Sequence, residues 1–443
     1  MDNYSRRSFL KKNPLSGFGS LLGFGLTTQL ESFGKGAGVN NDKALLFDGT
    51  LDSLGGMSLQ KLLDFHRTYL TETYIPNWDR GVDWEHGGFD NAIIPGKKPN
   101  FEKKAMYNQG RAVWMFSYLY NNITHEKRHL EAAIKGRDFL VKHALTPDNR
   151  WISFLNRKGE ALSKPLDHYG DIYMIQGLAE LYKATKNEKD IELAINTAHS
   201  VMERLLSPSY QHVDAHIPSL EPGTRRLPSW QHFLGALTPL LKVRRDTAVE
   251  KIARYCVRVI CQDHWRPEYS ILLEMLDDHL RPYTVNATSW GEYKLRGVSG
   301  WHSIQACWMI MNEALRVMHQ PTYRQGFSMG VATLDKCYLD GKGIPFDKEG
   351  LSLENPEATL TADGKTFPWG ALDDVLVYCL LALEHSHDPT AIKYYNKCFE
   401  LHNSKPENVV TTGLLHTPRR FFYSIEILER MISREGKVSN VFG

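Results

Sequence analysis

The feature that most constrains the fold of this chain is an almost unbroken succession of helix-length segments. Apolar residues recur every three to four positions in each segment, and loops rich in Gly, Pro and Asp separate one segment from the next. Read in pairs, the segments repeat at an interval of about 60–70 residues, as the units of a helical array do. The spacing predicts twelve helices, near residues 57–75, 102–121, 127–145, 167–186, 188–206, 229–243, 246–263, 299–318, 320–338, 368–385, 388–403 and 416–433.

Six helical hairpins in succession favour an all-α fold, the (α/α)6 barrel, in which one helix of each pair faces the barrel axis. No long polar linker interrupts the series, so we predict that residues 44–443 form one barrel domain. Two long loops, `DRGVDWEHGGFDNAI` and `DNRWISFLNRKGE`, combine aromatic residues with glycine in a pattern typical of short hairpins. We expect such hairpins in the interhelical loops at one end of the barrel.

The first forty residues have a different character. The basic stretch `SRRSFLKK` at residues 5–12 precedes `PLSGFGSLLGFGLTTQL`, which is too short and too weakly apolar for a permanent membrane span. Arg6 and Arg7, followed by Phe-Leu-Lys, match a twin-arginine export signal, and a disordered basic tail is the alternative. We therefore assign residues 1–40 to a twin-arginine-type signal segment and linker, and we predict export to the periplasm by the twin-arginine machinery.

The composition excludes some classes of partner and site. The chain carries 53 Lys plus Arg against 51 Asp plus Glu, so no basic excess points to a nucleic-acid partner. Six cysteines include no CxxC pair and no histidine at metal-ligand spacing, which predicts buried apolar residues, with neither a metal site nor a disulfide framework. The 10 Trp, 20 Tyr and 19 Phe suffice for an aromatic sugar site, although most aromatic residues pack in cores.

Polar and aromatic residues stand near the N-terminal ends of the even-numbered predicted helices. If these six helices form the inner ring of a barrel, their side chains converge on one pocket. Convergence is the physical argument for a site, because each residue alone is weak evidence. The residues are Arg111, Tyr169, Asp171, Gln231, His232, His302, Gln305, Trp369, Asp373, His416 and Arg419.

Several of these residues have a structural interpretation beside the functional one. His302 begins `HSIQACWMIM`, a helix that is apolar on nearly every side, so it is either a core histidine bonded to Gln305 one turn on or a pocket residue. Arg111 and Arg419 also lie in apolar helices, where a guanidinium needs an anionic partner or ligand oxygens. Asp171 is the candidate structural partner of Arg111.

Two histidines on different helices, an arginine and nearby aromatic residues suit the removal of a proton beside a carbonyl group. This reaction needs a base with a pKa near neutrality on one side and an acid on the other. It also needs a cation or hydrogen-bond donors at the oxygen that becomes negative. The sequence contains no phosphate loop, GxSxG elbow or nucleotide motif that indicates a competing chemistry.

Four motifs occur in order along the chain: `WDRGVDWEHGGF`, `NQGRAVWMFSYLY`, `GWHSIQACW` and `HTPRRFFYSIEILE`. Together they resemble the N-acylglucosamine 2-epimerase family, which includes cellobiose 2-epimerases and mannose isomerases, from about residue 57 to 435. The resemblance implies an (α/α)6 barrel. It also implies a sugar 2-epimerase or aldose–ketose isomerase that uses no cofactor and acts on a mono- or disaccharide.

The resemblance further implies roles for individual residues. His302 and His416 would be the acid–base pair on opposite faces of carbon 2, with an enediolate between the two proton transfers. Arg111 would steady the carbonyl or enediolate oxygen, and His232 would assist ring opening or hold a hydroxyl group. Glu274, in `ILLEML`, matches an acidic position near the pocket, with a structural ion pair as the alternative.

Five further residues complete the expected substrate site: Tyr169, Asp171, Gln305, Trp369 and Arg419. This chain carries Gln305 where the family pattern carries a glutamate one turn after the catalytic histidine. A neutral amide can orient a histidine but supplies little charge to it.

Two other functions remain open on the same fold. The first is a glycoside hydrolase or lyase that works with paired carboxylates, for which Asp171, Glu274, Asp373 and Asp374 are the candidates. The second is a carbohydrate-binding protein without catalysis.

Overall fold

The computed structural model describes residues 49–93, 97–211, 222–283, 289–290, 293–294, 296–344, 351–353, 355–358, 369–404 and 415–442. For Trp369 and for residues 289–290 and 293–294 it describes the backbone alone. The twin-arginine motif lies outside the described residues, so export stays a prediction.

Twelve helices follow one another within the described residues, in agreement with the number predicted from apolar spacing. They are α1 (Leu59–Tyr69, continued by the π-helical turn Leu70–Tyr74 and by Ile75–Arg80), α2 (Met106–Tyr118, with the π-helical turn Leu119–Ile123), α3 (Lys127–His143), α4 (Tyr169–Thr185), α5 (Glu188–Leu206), α6 (Leu227–Val243), α7 (Thr247–Arg258, with the π-helical turn Val259–His264), α8 (Gly300–Arg316), α9 (Gln320–Cys337), α10 (Trp369–His385), α11 (Pro389–Asn403) and α12 (His416–Ser433).

Short polar side chains fix where several helices begin. The Asp246 carboxylate accepts the N–H groups of Ala248 and Val249 at 2.9 and 3.0 Å at the start of α7. At the start of α8, the Ser299 hydroxyl accepts the N–H of His302 at 3.3 Å. These bonds satisfy helix N–H groups that have no partner within the helix.

The even-numbered helices form an inner ring. Each packs on the next, from α2 through α4, α6, α8 and α10 to α12, and each odd-numbered helix packs on the outside of an even one. The ring closes from α12 to α2 through aromatic stacking, because the rings of Tyr118 and Phe422 are parallel with centroids 4.7 Å apart. The structure therefore confirms the (α/α)6 barrel.

Short strand pairs occupy the loops, and no closed sheet is formed by the described residues. All five pairs are antiparallel and two-stranded. They are β1 (Ser53–Leu54) with β2 (Met57–Ser58), β3 (Lys103–Ala105) with β4 (Phe154–Asn156), β5 (Arg225–Arg226) with β8 (Met275–Leu276), β6 (Trp265–Arg266) with β7 (Ile271–Leu272), and β9 (Ser289–Trp290) with β10 (Tyr293–Lys294).

The two loops predicted to form hairpins each contain one. In the first, Val82 and Phe89 form a β-bridge, and the chain turns at Gly87 and Gly88, whose φ angles are 94° and 78°. Glycine suits this left-handed backbone because it has no Cβ. In the second loop, Leu155 of β4 forms an antiparallel bridge with Ala161 across a turn at Gly159, whose φ angle is 96°, so this loop also contains a hairpin. The strand β4 pairs in addition with β3 of the preceding loop.

The six cysteines are buried and free, as the sequence predicted. No helix in the described part of the chain is both long and apolar enough to cross a membrane.

Candidate active site

The side chains near the first turns of the inner helices meet in one cluster. Two buried carboxylates, Glu274 and Asp374, lie at its centre and each binds one histidine. Glu274 binds His302 of α8, and Asp374 binds His416 of α12. The two histidine rings contact the same indole, because the ring centroid of Trp301 lies 6.1 Å from that of His302 and 4.9 Å from that of His416.

The first pair is His302 with Glu274. The imidazole Nδ1 lies 3.0 Å from both carboxylate oxygens. Since a carboxylate only accepts hydrogen bonds, Nδ1 carries the proton and donates it. Nε2 has no hydrogen-bond partner among the described residues. The interpretation that Gln305 is the partner of His302 is therefore wrong, because Glu274 takes that position.

Glu274 reaches His302 through strand pairing rather than through sequence proximity. It directly precedes β8, and its backbone carbonyl accepts the N–H of Leu227 at 2.8 Å at the start of α6. Its own N–H donates to the carbonyl of Gly297 at 2.9 Å, just before α8. The Arg226 guanidinium lies 3.3 Å from the carboxylate. Burial raises the pKa of Glu274, but His302 and Arg226 more than offset burial and hold this pKa below its usual range, so the group stays ionised.

The second pair is His416 with Asp374. The imidazole Nδ1 lies 2.9 Å from the carboxylate, which fixes the same tautomer as in His302. Nε2 of His416 likewise has no hydrogen-bond partner among the described residues. Burial lowers the pKa of His416, and Asp374 opposes this effect only in part, so the imidazole is neutral at pH 7.

Asp374 organises the centre of the cluster, with 1% of its surface exposed. It accepts the indole N–H groups of Trp301 at 2.7 Å and Trp308 at 3.2 Å, and it also binds the Arg419 guanidinium. Burial alone would raise the pKa of Asp374, but the charges of Arg419 and His416 together have the larger effect. The pKa of Asp374 is therefore below its usual value, and the carboxylate stays charged. The apolar setting of Arg419 predicted an anionic partner, although no sequence signal identified Asp374 as that partner.

Gln305 connects the second pair to His232 of α6. Its amide N–H₂ donates to Asp374 at 3.1 Å, and its carbonyl oxygen lies 2.8 Å from Nε2 of His232 and 2.6 Å from the amide nitrogen of Gln231. Nδ1 of His232 is buried and has no hydrogen-bond partner in the described part of the chain. Burial, followed by the charges of Arg111 and His302, places the pKa of His232 well below its usual value, so this ring stays neutral.

Arg111 supplies a cation to the cluster. Its guanidinium lies between two tyrosine rings, 4.7 Å from the centroid of Tyr107 and 4.1 Å from that of Tyr173, and it donates to the Tyr173 hydroxyl at 2.7 Å. No carboxylate in the described residues forms an ion pair with it. Its charge contributes to the lowered pKa values of both His232 and His416. A guanidinium held this way is available to an anionic oxygen of a ligand.

The remaining predicted residues lie in different places. Tyr169 packs its ring edge-on against His232, with centroids 5.5 Å apart. Asp171 binds Arg204 of α5 and accepts the backbone N–H of Trp151 at 2.9 Å, so its structural partner is Arg204 rather than Arg111. Burial raises the pKa of Asp171 to about 6. Trp369 begins α10, and the position of its side chain lies outside the described structure.

The candidate carboxylates of a hydrolase are each bound to a cation or a histidine. The fourth of them, Asp373, lies 2.7 Å from Arg420 and accepts the hydroxyl of Thr417 at 2.8 Å. A glycoside hydrolase needs one carboxyl that is protonated at the leaving group. The pKa values of Glu274 and Asp374 are lowered, which favours their charged forms, and Asp171, whose pKa is raised to about 6, binds Arg204 of the outer helix α5. In the described part of the chain, no group of three or more His, Cys, Asp and Glu side chains is arranged to hold a metal ion.

Comparisons with known proteins agree with this architecture. A family model described as N-acylglucosamine 2-epimerase (GlcNAc 2-epimerase) matches residues 87–326, which include His302 and end before His416. The chain is 24% identical over 262 residues to a cellobiose 2-epimerase of Dictyoglomus turgidum, a match that covers 56% of this chain and 64% of the relative. The chain thus matches less than two thirds of the length of that relative.

Two solved structures share the fold. The cellobiose 2-epimerase of Bacillus thermoamylovorans B4167 superposes with a TM-score of 0.68 at 16% identity, covering 83% of this chain and 99% of that one. A D-mannose isomerase superposes with a TM-score of 0.63 at 13% identity, covering 85% of this chain and 98% of that one. At this level of identity the likeness establishes the barrel fold.

Proposed function

We propose that this chain, which belongs to the N-acylglucosamine 2-epimerase family, is a sugar 2-epimerase or aldose–ketose isomerase that works without a cofactor. The observation that carries the proposal is the pair of imidazoles, His302 and His416. Each is oriented through Nδ1 by a buried carboxylate, has no partner at Nε2 among the described residues, and contacts the indole of Trp301. Two bases held in this way suit proton transfer at one carbon from opposite faces.

The reaction begins with an open-chain mono- or disaccharide whose carbonyl is beside carbon 2. Nε2 of one histidine removes the proton from carbon 2, and the electron pair of the C–H bond moves toward the carbonyl, which becomes an enediolate. Nε2 of the other histidine returns a proton to the opposite face of carbon 2, which gives the epimer. Return of the proton to carbon 1 instead, together with transfer of the proton of the carbon-2 hydroxyl to the oxygen on carbon 1, gives the ketose.

The rest of the cluster supports these steps. Arg111 has no carboxylate partner among the described residues, and it donates to the oxygen that becomes negative. Glu274 and Asp374 stabilise the imidazolium that forms after proton removal, because each lies within 3.0 Å of the corresponding Nδ1. His232 is neutral, and we assign it to a substrate hydroxyl or to ring opening.

Hydrogen exchange from solvent tests this proposal. Purified protein is incubated in deuterated water with a panel of reducing mono- and disaccharides, and deuterium at carbon 2 is measured by NMR and mass spectrometry. We expect deuterium at carbon 2 of at least one sugar together with its epimer or ketose. Sugar binding without deuterium incorporation across the panel indicates a binding protein, and release of shorter sugars indicates a hydrolase; either result contradicts the proposal.

We also propose that residues 1–40 direct export of the folded chain to the periplasm. The paired arginines support this proposal, and so do six cysteines that are free in the folded domain, since twin-arginine export follows folding in a reducing compartment. Cell fractionation tests it: the protein is expected in the periplasm, and replacement of Arg6 and Arg7 by lysine is expected to retain it in the cytoplasm. Equal distribution of both forms contradicts the proposal.

A further inference from the structure

A second cavity lies at the end of the inner ring opposite the histidines. It is lined by residues from the C-terminal halves of all six inner helices and from the tail that follows α12, and its volume is ≈ 520 Å³. Cavities of this size accommodate small-molecule ligands. Neither histidine pair lines it, and Trp308, whose indole N–H donates to Asp374, lies in the wall between the cavity and the candidate active site.

The carboxylates of this cavity already have partners. Glu384 binds Arg430 through two hydrogen bonds of 2.7 Å and also binds Arg434 at 3.1 Å. Glu180 lies 2.7 Å from Lys183. Glu426 accepts the hydroxyl of Tyr118 and lies 3.8 Å from Arg430. These existing partners reduce the attraction of the three carboxylates for a cationic ligand.

Three donors of the cavity, in contrast, have no carboxylate acceptor among the described residues. The Trp114 side chain is 1% exposed, and its indole N–H has no acceptor among the described residues. The hydroxyl of Tyr423 also has no partner in this part of the structure. Lys242, at the mouth of the cavity, donates to the neutral amide oxygen of Asn312 at 3.2 Å and forms no ion pair with a described carboxylate. Among the described residues of the wall, Trp114 and Tyr423 are thus neutral donors without acceptors, and Lys242 is a cation without a carboxylate partner.

We propose that this cavity binds a sugar-sized monocarboxylic acid that carries hydroxyl groups. The carboxylate of such a ligand accepts from the Lys242 ammonium group, and its hydroxyl oxygens accept from the Trp114 indole and the Tyr423 hydroxyl. A neutral polyol satisfies the same two inner donors but leaves Lys242 without a counter-ion. The negative charge of the ligand therefore distinguishes this site from one that binds neutral sugars. Binding in this cavity does not depend on the reaction proposed for the histidines.

Isothermal titration calorimetry with two cyclic probes tests this inference. Quinate is a polyhydroxylated monocarboxylate and myo-inositol is a neutral polyol, and neither opens to a carbonyl form that the histidines could process. We expect quinate to bind the wild-type protein at one site, with at least about tenfold higher affinity than myo-inositol, because a charge-assisted hydrogen bond is stronger than a neutral one.

Variants locate the bound probe. Lys242→Met is expected to weaken quinate binding by about tenfold, and Trp114→Phe, which keeps the ring and removes the N–H, by about two- to tenfold. Lys251→Met, which removes an exposed lysine outside the cavity, and His416→Asn, in the other site, are expected to leave the Kd unchanged. Thermal denaturation verifies that each variant is folded. Absence of quinate binding, equal binding of myo-inositol, an unchanged Kd in Lys242→Met, or loss of binding in His416→Asn overturns the proposal.

Discussion

Among single residues, two carboxylates fix the tautomers of the two histidines that we propose as bases. His302 donates through Nδ1 to Glu274, and His416 donates through Nδ1 to Asp374, so each Nε2 is left for a substrate proton. Buried carboxylates that orient a functional histidine in this way also raise its basicity.

Glu274→Gln tests the first of these pairs. The substitution keeps the shape of the side chain but removes the charge that stabilises protonated His302, so we expect kcat/KM for epimerisation to fall by about 10–100-fold. Steady-state kinetics on a sugar identified by deuterium exchange measures the effect. Glu268→Gln, an exposed position in the turn between β6 and β7, is the matched control and is expected to retain full activity. Equal activity of the two variants contradicts the role of Glu274.

Gln305 shows why site contacts were harder to predict than site residues. The sequence indicated His302 and Gln305 as neighbours one helical turn apart, and this spacing favoured a bond between them. In the structure Gln305 instead donates to Asp374 and accepts from His232, because Glu274 already occupies Nδ1 of His302. The Gln305 amide therefore connects two inner helices. The negative charge that a glutamate at this position would bring to His302 comes instead from Glu274, 28 positions before His302.

At the scale of helices, the approach of α10 to its neighbours requires a residue without a side chain. A Cβ added at Gly370 would lie 2.8 Å from the Trp301 ring and 3.2 Å from Cγ of His416. A contact of this length forces one of the two rings to move. Gly370 thus permits the close contact between Trp301 and His416.

Gly370→Ala is therefore expected to reduce activity more than stability. We expect a fall in kcat of at least about tenfold, because a displaced base reacts poorly even when the fold is intact. Gly235→Ala on α6 is the control: its added Cβ would meet only the flexible end of Met309, at 3.0 Å, so activity is expected to change little. Kinetics and thermal denaturation of both variants measure the difference, and similar activities in the two variants would refute this role of Gly370.

Two adjacent aspartates of α10 hold α12 from two sides. Asp374 binds His416 and Arg419 inside the ring, whereas Asp373 binds Arg420 at 2.7 Å between the layers, where both side chains are almost fully buried. Asp373→Asn leaves the guanidinium of Arg420 buried without its carboxylate partner, so we expect the free energy of unfolding to fall by about 3–5 kcal/mol.

Urea denaturation of Asp373→Asn measures this loss. Glu435→Gln, which removes one partner of an exposed ion pair with Lys437, is the control and is expected to leave the midpoint unchanged. An unchanged midpoint in Asp373→Asn would mean that the buried pair does not hold α12 in place.

Most helices were predictable because their signals are local. Apolar periodicity and N-cap residues such as Asp246 lie within the helix that they specify, and the observed bounds agree with the predicted ones to within a few residues. The Glu274–His302 pair was not predictable in the same way, since it depends on pairing between β5 and β8, which lie 49 positions apart in register. The strand β4 illustrates the same limit: its sequence indicated the local hairpin that Leu155 and Ala161 form, but not the second pairing with β3 of the preceding loop.

For the whole molecule, buried histidines make the stability depend on pH. Burial lowers the pKa of seven described histidines, namely His143, His199, His416 and four others, and two of the four others have pKa values of about 4. An unfolded histidine takes up a proton near pH 6.5, whereas these groups stay neutral in the folded state until lower pH. The unfolded state thus binds more protons below pH 6.5, and the free energy of unfolding falls as the pH falls. The four others are His66, His232, His264 and His385.

We therefore expect the urea midpoint to be lower at pH 5 than at pH 7. Burial raises the pKa of four carboxyl groups, Asp171 to about 6 and also Asp190, Asp263 and Glu426, and these contribute in the opposite sense, but the seven histidines outnumber them. His264→Gln is expected to reduce the difference between the two midpoints, and His279→Gln, at an exposed position, to leave it unchanged. A midpoint that rises on acidification contradicts this account.

The measurement that tests the two-histidine mechanism most directly follows deuterium exchange from each epimer separately. His302→Asn and His416→Asn are each incubated in deuterated water, first with one epimer and then with the other, and carbon-2 deuterium is measured before equilibrium. We predict that interconversion of the epimers falls by about 10²–10⁴-fold in both variants. Each variant is still expected to exchange the carbon-2 proton of one epimer, and the two variants are expected to act on different epimers. Exchange of the same epimer by both variants, or wild-type interconversion in either, would contradict the mechanism.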